Sequence, residues 1–417
     1  MLEYLHLKNV GPASEMEMEL APRLNLVTGD NGLGKSFLLD VAWWALTRTW
    51  ARFPAVPAAA PAQPELTYRY GARTGSVGFS SSFDRETEKW SRPSGRPAIP
   101  GLVLYAQVDG GFSVWDPARN YWKKDSPDRP QSFLFSSQEV WEGNALCEGL
   151  IRDWASWQRE QRAAYAQLRS VLGVLSPSPA ELLDPGELRK ISLDDPKRYP
   201  TLKMPYGQDV AVVHASAGMR RVIALAYLLV WAWQEHLAAS ELRGDPPTRE
   251  VIFLIDEIEA HLHPQWQRRI VPALLKVMDA LTGESASRVQ LIAATHSPLV
   301  LASLEPQFDE ERDRVFHLDV RDRNVYLHSL PWAKQGDVVN WLVSESFGLQ
   351  QGRSLEAERA IEAAEAWMRG DLAALADGLR TAEEIDGELQ RVLAGHDPFW
   401  PRWVVWVERQ GSQVSAR

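Results

Sequence analysis

Residues 29–36 read GDNGLGKS and match the pattern G-x-x-x-x-G-K-[ST] at every fixed position. The glycines let successive backbone N–H groups turn toward phosphates, the lysine reaches the outer phosphate oxygens, and the hydroxyl holds Mg²⁺. Apolar stretches at 23–28 and 37–44 predict the strand and the helix that must flank such a loop, which counts against a chance glycine-rich turn. The residues that we expect to bind a nucleotide here are Asn31, Gly32, Gly34, Lys35 and Ser36.

Two acidic residues follow the apolar stretch 251–255, which predicts a central strand. In phosphoryl-transfer sites, one carboxylate at such a strand end enters the Mg²⁺ shell and the next acts beside the γ-phosphate. We therefore expect Asp256 to join Ser36 as a metal ligand and Glu257 to activate the attacking water. Alone, the pair could equally be ordinary acids at the start of a helix, but the phosphate loop upstream favours catalysis.

Three further positions complete the candidate site. His296 follows a second apolar strand, predicted over 288–295, where a neutral imidazole could sense the γ-phosphate; a structural loop histidine is the alternative. Ser216 and Gly218 begin a long helix, predicted over 219–236, that is apolar nearly all round and should be buried. Ser216 is a credible N-cap, and a helix start of this kind is also a phosphate receptor.

Hydrophobic periodicity predicts the elements that position these residues. A strand, a helix and a strand in succession over 250–295 predict a parallel sheet with helices on its faces, and hence an α/β fold. The other predicted elements are antiparallel strands at 3–7 and 15–20, further antiparallel strand over 66–92, a strand at 101–107, a helical region at 138–174, loops and short turns at 177–205, a helix at 265–281 that bends at Pro272, and a helical region at 355–393.

Composition bounds the class of protein. The 417 residues suit one domain with sizeable insertions, and the net charge of -10 argues against a wholly basic nucleic-acid-binding protein, although a local basic channel is compatible with it. A single cysteine, Cys147, excludes an internal disulfide and is typical of a reducing cytosol. No apolar run approaches the ~20 residues of a membrane helix and no secretory signal is visible, so we expect a soluble, cytoplasmic protein.

The order of these motifs resembles the ATPase domain of the ABC superfamily. Its signature loop, usually LSGGQ in transporters, stands here as SAGMR at 216–220. Within the superfamily, the SMC-like, OLD-type ATPases are more similar, because they share the ribbon, the GDNGLGKS-type loop and an acidic motif that continues as EAHLHP at 259–264. The resemblance covers residues 1–50 and 210–305.

The resemblance implies an ABC-type P-loop ATPase head with a mixed sheet, an antiparallel N-terminal ribbon, a helical insertion and a helical C-terminal extension. The expected parts are residues 1–65 with the P-loop, the insertion 66–209, the second ATPase part 210–335, and the extension 336–417.

The resemblance also implies that two heads would sandwich ATP and Mg²⁺, with Ser216 and Gly218 acting on the other head's γ-phosphate. Gln107 would sense Mg²⁺ and the attacking water, and 259–264 would lie at the dimer seam. The pair His261 and His263 is expected to serve structure or the interface rather than a metal.

The resemblance also bears on biological role. OLD nucleases carry an acidic nuclease cluster after the ATPase, which residues 306–417 do not show, so we expect no nuclease activity in this chain. Similar chains are the ATPase subunits of Septu and retron-associated anti-phage systems, which implies a homodimer or higher even oligomer that gates a separate effector, such as an HNH nuclease. An ATP-gated DNA-binding clamp for repair or recombination is the alternative, and a transporter motor is the third reading.

The tail FWPRW at 399–403 is rich in aromatic residues. If these side chains are exposed, they would suit a partner interface. Packing into a core is the alternative.

Overall fold

The computed structural model describes residues 1–60, 62–72, 75–92, 101–120, 130–282 and 288–414. The chain forms two compact units, Met1–Trp341 and Leu342–Arg417.

Strands occur in the first unit. They are β1 (Leu2–Lys8), β2 (Glu15–Glu19), β3 (Leu24–Gly29), β4 (Glu65–Ala72), β5 (Gly75–Asp84), β6 (Lys89–Trp90), β7 (Leu102–Ala106), β8 (Phe112–Trp115), β9 (Phe133–Phe135), β10 (Asp184–Pro185), β11 (Thr201–Lys203), β12 (Asp209–Ala211), β13 (Glu250–Ile255), β14 (Arg288–Ala294), β15 (Asp313–Arg321) and β16 (Asn324–Leu330).

Helices occur in both units, and short 3-10 helices lie at Val212–His214 and Leu372–Ala374. The α-helices are α1 (Lys35–Thr47), α2 (Ser137–Glu142), α3 (Leu150–Arg159), α4 (Ala163–Leu175), α5 (Ala217–Arg243), α6 (Pro264–Gln267), α7 (Ile270–Thr282), α8 (Pro298–Leu304), α9 (Val338–Leu342), α10 (Leu355–Arg369), α11 (Ala382–Val392) and α12 (Trp400–Val414).

The largest sheet has the strand order β16-β15-β3-β14-β13-β7-β8-β9. Its five central strands from β15 to β7 are parallel, and antiparallel strands flank them on both sides. The carboxyl ends of β3, β14, β13 and β7 therefore meet at one edge. The predicted mixed sheet and α/β class are confirmed.

The N-terminal ribbon belongs to a second, antiparallel sheet with the order β2-β1-β4-β5-β6. Strand β2 reads EMEME, and its alternation buries Met16 and Met18 while the glutamates face solvent. Helix α1 packs between the two sheets, with Trp43 and Trp44 in the same core as these methionines and as Ile252 of β13. This packing fixes the helix that follows the phosphate loop.

Helix α5 is the long buried helix that its composition predicts. Its N-cap is Ser216, whose hydroxyl accepts the Met219 N–H at 3.3 Å. Among the described residues it is the one helix with the length and apolarity of a membrane span, and 61% of its most apolar window is buried inside the protein. The described fold thus uses α5 as a core helix.

Two predicted elements differ in the structure. The helix expected over 265–281 is two helices, α6 and α7, and Pro272 lies in the first turn of α7, where a missing N–H costs no hydrogen bond. The predicted bend at Pro272 is therefore wrong. The segment expected to be loop, 177–205, contributes β10 and β11 to a small sheet, in which Pro185 occupies an edge strand that tolerates proline.

The two long helical regions are also subdivided. The region 138–174 forms α2, α3 and α4, with turns that contain Gly143 and Gly149. The region 355–393 forms α10, which ends at a left-handed Gly370, and α11, which begins with a capping box at Thr381.

The aromatic tail packs within the C-terminal unit. Phe399 and Trp403 are 5% and 1% exposed, and the Trp403 indole donates to Asp386 at 2.8 Å. Both lie in a core with α10 and α11. A partner interface built from these two aromatic side chains is thus wrong, because they already fill the core; Val404 and Val405 remain about half exposed on α12.

Candidate nucleotide-binding and hydrolysis site

Backbone hydrogen bonds extend the sheet ladder beyond its strand ends and bring the expected motifs to one edge. The Asp256 N–H donates to the Ala106 carbonyl at 2.9 Å, and the Thr295 N–H donates to the Val27 carbonyl at 3.0 Å. The phosphate loop, the acid pair, the His296 turn and the Gln107 turn are thereby neighbours. Carboxyl ends of parallel strands are the usual ligand site of open α/β sheets.

The phosphate loop has the geometry that its glycines predict. Gly34 caps α1 with a φ of +104°, and a Cβ there would lie 2.7 Å from the Pro12 ring. The Lys35 ammonium points back into the loop, where it donates to the carbonyls of Gly29 and Asp30 at 2.7 Å each. Burial lowers the pKa of Lys35. A buried ammonium bonded only to neutral carbonyls is suited to exchange one of them for a phosphate oxygen.

Ser36 and Asp256 are in direct contact. The Ser36 hydroxyl donates to Asp256 Oδ1 at 2.9 Å. The Asp256 side chain is fully buried, and its Oδ2 has no hydrogen-bond partner among the described residues. Burial raises the pKa of Asp256. A hydroxyl beside a buried carboxylate with one unused oxygen is a donor set that fits Mg²⁺.

A half-buried polar cluster that the sequence analysis missed lies beside this pair. Arg52 donates to both carboxylate oxygens of Asp40 and to the Tyr105 hydroxyl at about 3 Å. The same guanidinium lies 3.6 Å from Asp256 Oδ2. Arg52 therefore screens the Asp256 charge from the side of α1. No sequence signal separates it from an ordinary surface arginine.

Glu257 begins a loop with an unusual backbone. It has a φ of +46°, and His261 four residues later has a φ of +63°. Left-handed conformations at residues other than glycine cost about 1–3 kcal/mol each and cluster at active sites. Glu257 is half-buried, beside the Asp256 that contacts Ser36. Glu257 therefore lies at the sheet edge with an unusual backbone conformation.

His296 lies at the same edge, half-buried after β14. Burial, and next the charge of Lys35, lower the pKa of His296, so the imidazole is neutral at neutral pH. A neutral ring can donate to a phosphate oxygen from one nitrogen.

Gln107 is buried at the end of β7, next to the strand that carries Asp256. Its amide nitrogen donates to the Ser113 hydroxyl of the same hairpin at 3.0 Å. Gln107 therefore lies at the same edge as Asp256, with its amide bonded to its own hairpin.

The start of α5 presents an exposed hydroxyl and a tightly packed glycine. Ser216 is exposed, whereas Gly218 is buried against the next loop, since a Cβ there would lie 2.5 Å from the His261 carbonyl oxygen. His263 caps α6 through its ring nitrogen, which accepts the Gln265 N–H at 3.4 Å. Within the described ranges no group of three or more metal-ligating side chains occurs, and the role of His261 stays a prediction.

Arg221 is a second residue that the sequence analysis left without a role. Its guanidinium donates to the Val108 carbonyl at 2.9 Å and to the carbonyls of Asp256 and Glu257 at 2.8 and 3.1 Å. It therefore ties α5 to the Gln107 turn and to the acid pair. Adjacent arginines at the start of an otherwise apolar helix are the signal that could have identified it.

Comparison with known proteins yields relatives of partial length. The chain is 32% identical to Septu protein PtuA of Bacillus mycoides (strain KBAB4) over 135 residues, which are 32% of this chain and 16% of that protein. It is 30% identical to the Retron Vc95 probable ATPase of Vibrio cholerae serotype O1 biovar El Tor over 128 residues, 31% of this chain and 22% of that one. The matched regions thus span less than a quarter of either relative.

Among solved structures, the chain is similar to an SMC head bound to the C-winged helix domain of ScpA, with a TM-score of 0.44 and 16% identity over 79% of this chain and 97% of that chain. A family model described as "AAA domain, putative AbiEii toxin, Type IV TA system" matches residues 24–302. Because that match covers more than half of the chain, the protein belongs to this AAA-domain family.

Proposed function

We propose that this chain binds ATP with Mg²⁺ at the carboxyl edge of its large sheet and hydrolyses it to ADP and phosphate. The observation that carries the proposal is the contact between Ser36 and Asp256, whose second carboxylate oxygen is buried without a hydrogen-bond partner among the described residues. These two side chains would hold Mg²⁺, which, when bound, neutralises phosphate charge.

Each remaining residue then has a defined task. The backbone N–H groups of 31–36 would cradle the phosphates, and Lys35 would bind the outer phosphate oxygens. Glu257 would accept a proton from the attacking water. Neutral His296 would donate to the γ-phosphate, and Gln107 would reach the site if its hairpin rearranges.

The substitution Glu257→Gln tests the proposal because it removes the base and preserves size. We expect ATP binding to persist while the hydrolysis rate falls by ~10²-fold or more. The matched control is Glu311→Gln, the same substitution at an exposed glutamate of the same unit, which should keep wild-type turnover. Near-normal hydrolysis by Glu257→Gln would remove the assigned role of Glu257.

We further propose that two chains close on ATP, with Ser216 and Gly218 of each facing the other's γ-phosphate. The exposed hydroxyl of Ser216 at the start of α5 supports this proposal, since a helix N-terminus attracts anions. Light scattering of the Glu257→Gln protein should show an even oligomer with Mg-ATP. The added substitution Ser216→Arg should prevent assembly without preventing ATP binding, and an unchanged oligomer would contradict the proposal.

The relatives support a role in bacterial anti-phage defence, in the cytoplasm, as the ATPase that gates a separate effector. The effector would be a nuclease, possessing the activity that we do not expect in this chain. Co-expression with the product of a neighbouring gene tests the idea. Trp403 is part of the core of the C-terminal unit, so deletion of the tail would unfold that unit. The double substitution Val404→Glu and Val405→Glu is therefore the better test of α12 as a binding surface for the effector.

DNA-stimulated hydrolysis with strong salt dependence and no effector would instead favour the DNA clamp.

A further inference from the structure

Glu259, two residues after the proposed base, contacts the turn that carries His296. One carboxylate oxygen accepts the Thr295 hydroxyl at 2.7 Å, and the other accepts the backbone N–H of His296 in a short hydrogen bond. Thr295 is fully buried and Glu259 is half-buried. Both oxygens of one carboxylate are therefore used to hold two consecutive residues of the His296 turn.

The loop that bears Glu259 is itself held in place. Gln267 donates to the Leu262 carbonyl at 2.9 Å and accepts the Ser297 hydroxyl at 2.6 Å, which ties the end of this loop to the residue after His296. On its other side, the loop packs on Gly218 of α5. The carboxylate is thus attached to a backbone that cannot shift independently of either element.

The contact has an electrostatic consequence. Hydrogen bonds to an ionised carboxylate are roughly twice as strong as those between neutral groups. The negative charge of Glu259 also opposes the effects of burial and of Lys35, which both lower the pKa of His296. Removing the charge while keeping the side-chain shape would therefore loosen the turn and change the surroundings of the imidazole.

We propose that Glu259 is a positioning residue that holds His296 in the orientation needed to contact the γ-phosphate. It acts through the backbone of the Thr295–His296 turn and does not itself touch the nucleotide. This inference rests on the proposed ATP hydrolysis at the same site. A merely structural tie, which would affect folding or ATP binding instead, is the competing explanation that the test must separate.

The test compares Glu259→Gln, Thr295→Val, Thr295→Ser and the exposed control Glu311→Gln. We expect Glu259→Gln to lower kcat about tenfold while the Kd for ATP changes less than about twofold. Thr295→Val, which loses one of the two hydrogen bonds to Glu259 and also the bond from the Ser297 N–H at 3.1 Å, should lower kcat as well, and Thr295→Ser, which keeps the hydroxyl and both of these bonds, should retain it. If Glu259→Gln fails to fold, the two Thr295 variants still provide the comparison.

A double-mutant cycle with His296→Ala shows whether Glu259 acts through His296. We expect the double variant to be no slower than His296→Ala alone, because the positioned group is already gone. If Glu259→Gln multiplies the loss in the double variant by its full factor, or weakens ATP binding with kcat unchanged, the proposal is wrong.

The nucleotide-free protein offers a readout that does not depend on hydrolysis. With ¹³C-labelled histidine, the His296 ring signal, assigned by its loss in His296→Ala, should shift in Glu259→Gln and remain in place in Glu311→Gln. An unmoved signal would overturn the positioning role. If wild-type protein lacked ATPase activity but showed this shift, the proposed function would fail and the contact through Glu259 would stand.

Discussion

The carboxyl edge of the large sheet and the C-terminal unit differ in how completely their buried polar groups are hydrogen-bonded. At the edge, fully buried Asp256 has an oxygen without a hydrogen-bond partner in the described chain, and Glu257 and His261 have left-handed backbones. In the C-terminal unit, the indole of buried Trp403 donates to Asp386, and Ser354 caps α10.

The difference is between polar groups at the edge whose cost a bound ligand would offset and polar groups in the C-terminal unit that are already paired within the fold. A buried oxygen without a hydrogen bond costs about 1–3 kcal/mol, and left-handed residues add to that cost. Such costs persist where a ligand makes use of them. The satisfied contacts of the C-terminal unit, by contrast, are those of an ordinary helical core. Substitutions in the two regions should therefore act on different quantities.

The largest effect is expected from Trp403→Ala. Removing a buried tryptophan from a core costs about 3–5 kcal/mol. We therefore expect the C-terminal unit of the variant to be unfolded at a temperature at which the wild-type unit is still folded. Calorimetry would measure this, with the exposed-side variant Val404→Ala as control. Binding of ATP at the sheet edge should persist. If unfolding of the C-terminal unit also abolished ATP binding, the two regions would not act on different quantities.

A smaller effect, confined to ligand binding, is expected from Lys35→Ala. Loss of a lysine that makes charge-assisted contacts to phosphate should weaken ATP binding by about 10²-fold. Thermal unfolding should change little, because the ammonium bonds only to two loop carbonyls. Fluorescent-nucleotide titration measures the affinity, and Lys276→Ala, at an exposed lysine of α7, is the control. Equal affinities of the two variants would contradict the assignment.

The smallest effect is a gain in stability. Asp256→Asn should raise the free energy of unfolding by about 1 kcal/mol, since a neutral amide is less costly to bury than a carboxylate, and we expect this difference to exceed the loss of the Arg52 contact at 3.6 Å. Hydrolysis should be lost in the same variant. The result would show that Asp256 lowers the stability of the folded protein while it is needed for hydrolysis.

The stability gain should depend on pH. Burial raises the folded-state pKa of Asp256, so the folded state binds more protons than the unfolded state between the two pKa values. Wild-type stability therefore decreases as pH rises through that window, and the advantage of Asp256→Asn should be larger at pH 8 than at about pH 4, the ordinary pKa of an aspartate. Chemical denaturation at both pH values measures it, and an advantage that grows toward acid would have the wrong sign.

Local pattern was sufficient to predict much of the fold. The ribbon, the strand before the phosphate loop, β13 and β14 were expected within a few residues of their observed ends, because periodicity and motif agree there. The start of α5 was expected within two residues, but the helix continues to Arg243, beyond the predicted end at 236. The break between α6 and α7 was missed, since apolar spacing continues across it. The small sheet of β10 to β12 was missed because its strands are only two or three residues long.

For the candidate site, the sequence predicted which motif residues lie together at the sheet edge, while their roles stay predictions. Motif residues such as Ser36 and Asp256 were expected to meet and do so at 2.9 Å. Arg52 and Arg221 were not given roles, and Glu259 was expected at a dimer seam and not in contact with the His296 turn, because each acts on groups distant in the chain, as when Arg221 contacts the Val108 carbonyl. Contacts between residues so distant in the chain cannot be predicted from the spacing of residues along the sequence.

The most direct measurement is a crystal structure of the Glu257→Gln protein with Mg-ATP. It should show the triphosphate along residues 29–36, with Lys35 at the outer phosphates, Mg²⁺ between Ser36 and Asp256, and Ser216 of the partner subunit facing the γ-phosphate. A nucleotide bound elsewhere, or Asp256 Oδ2 still without a ligand when ATP is present, would contradict the account.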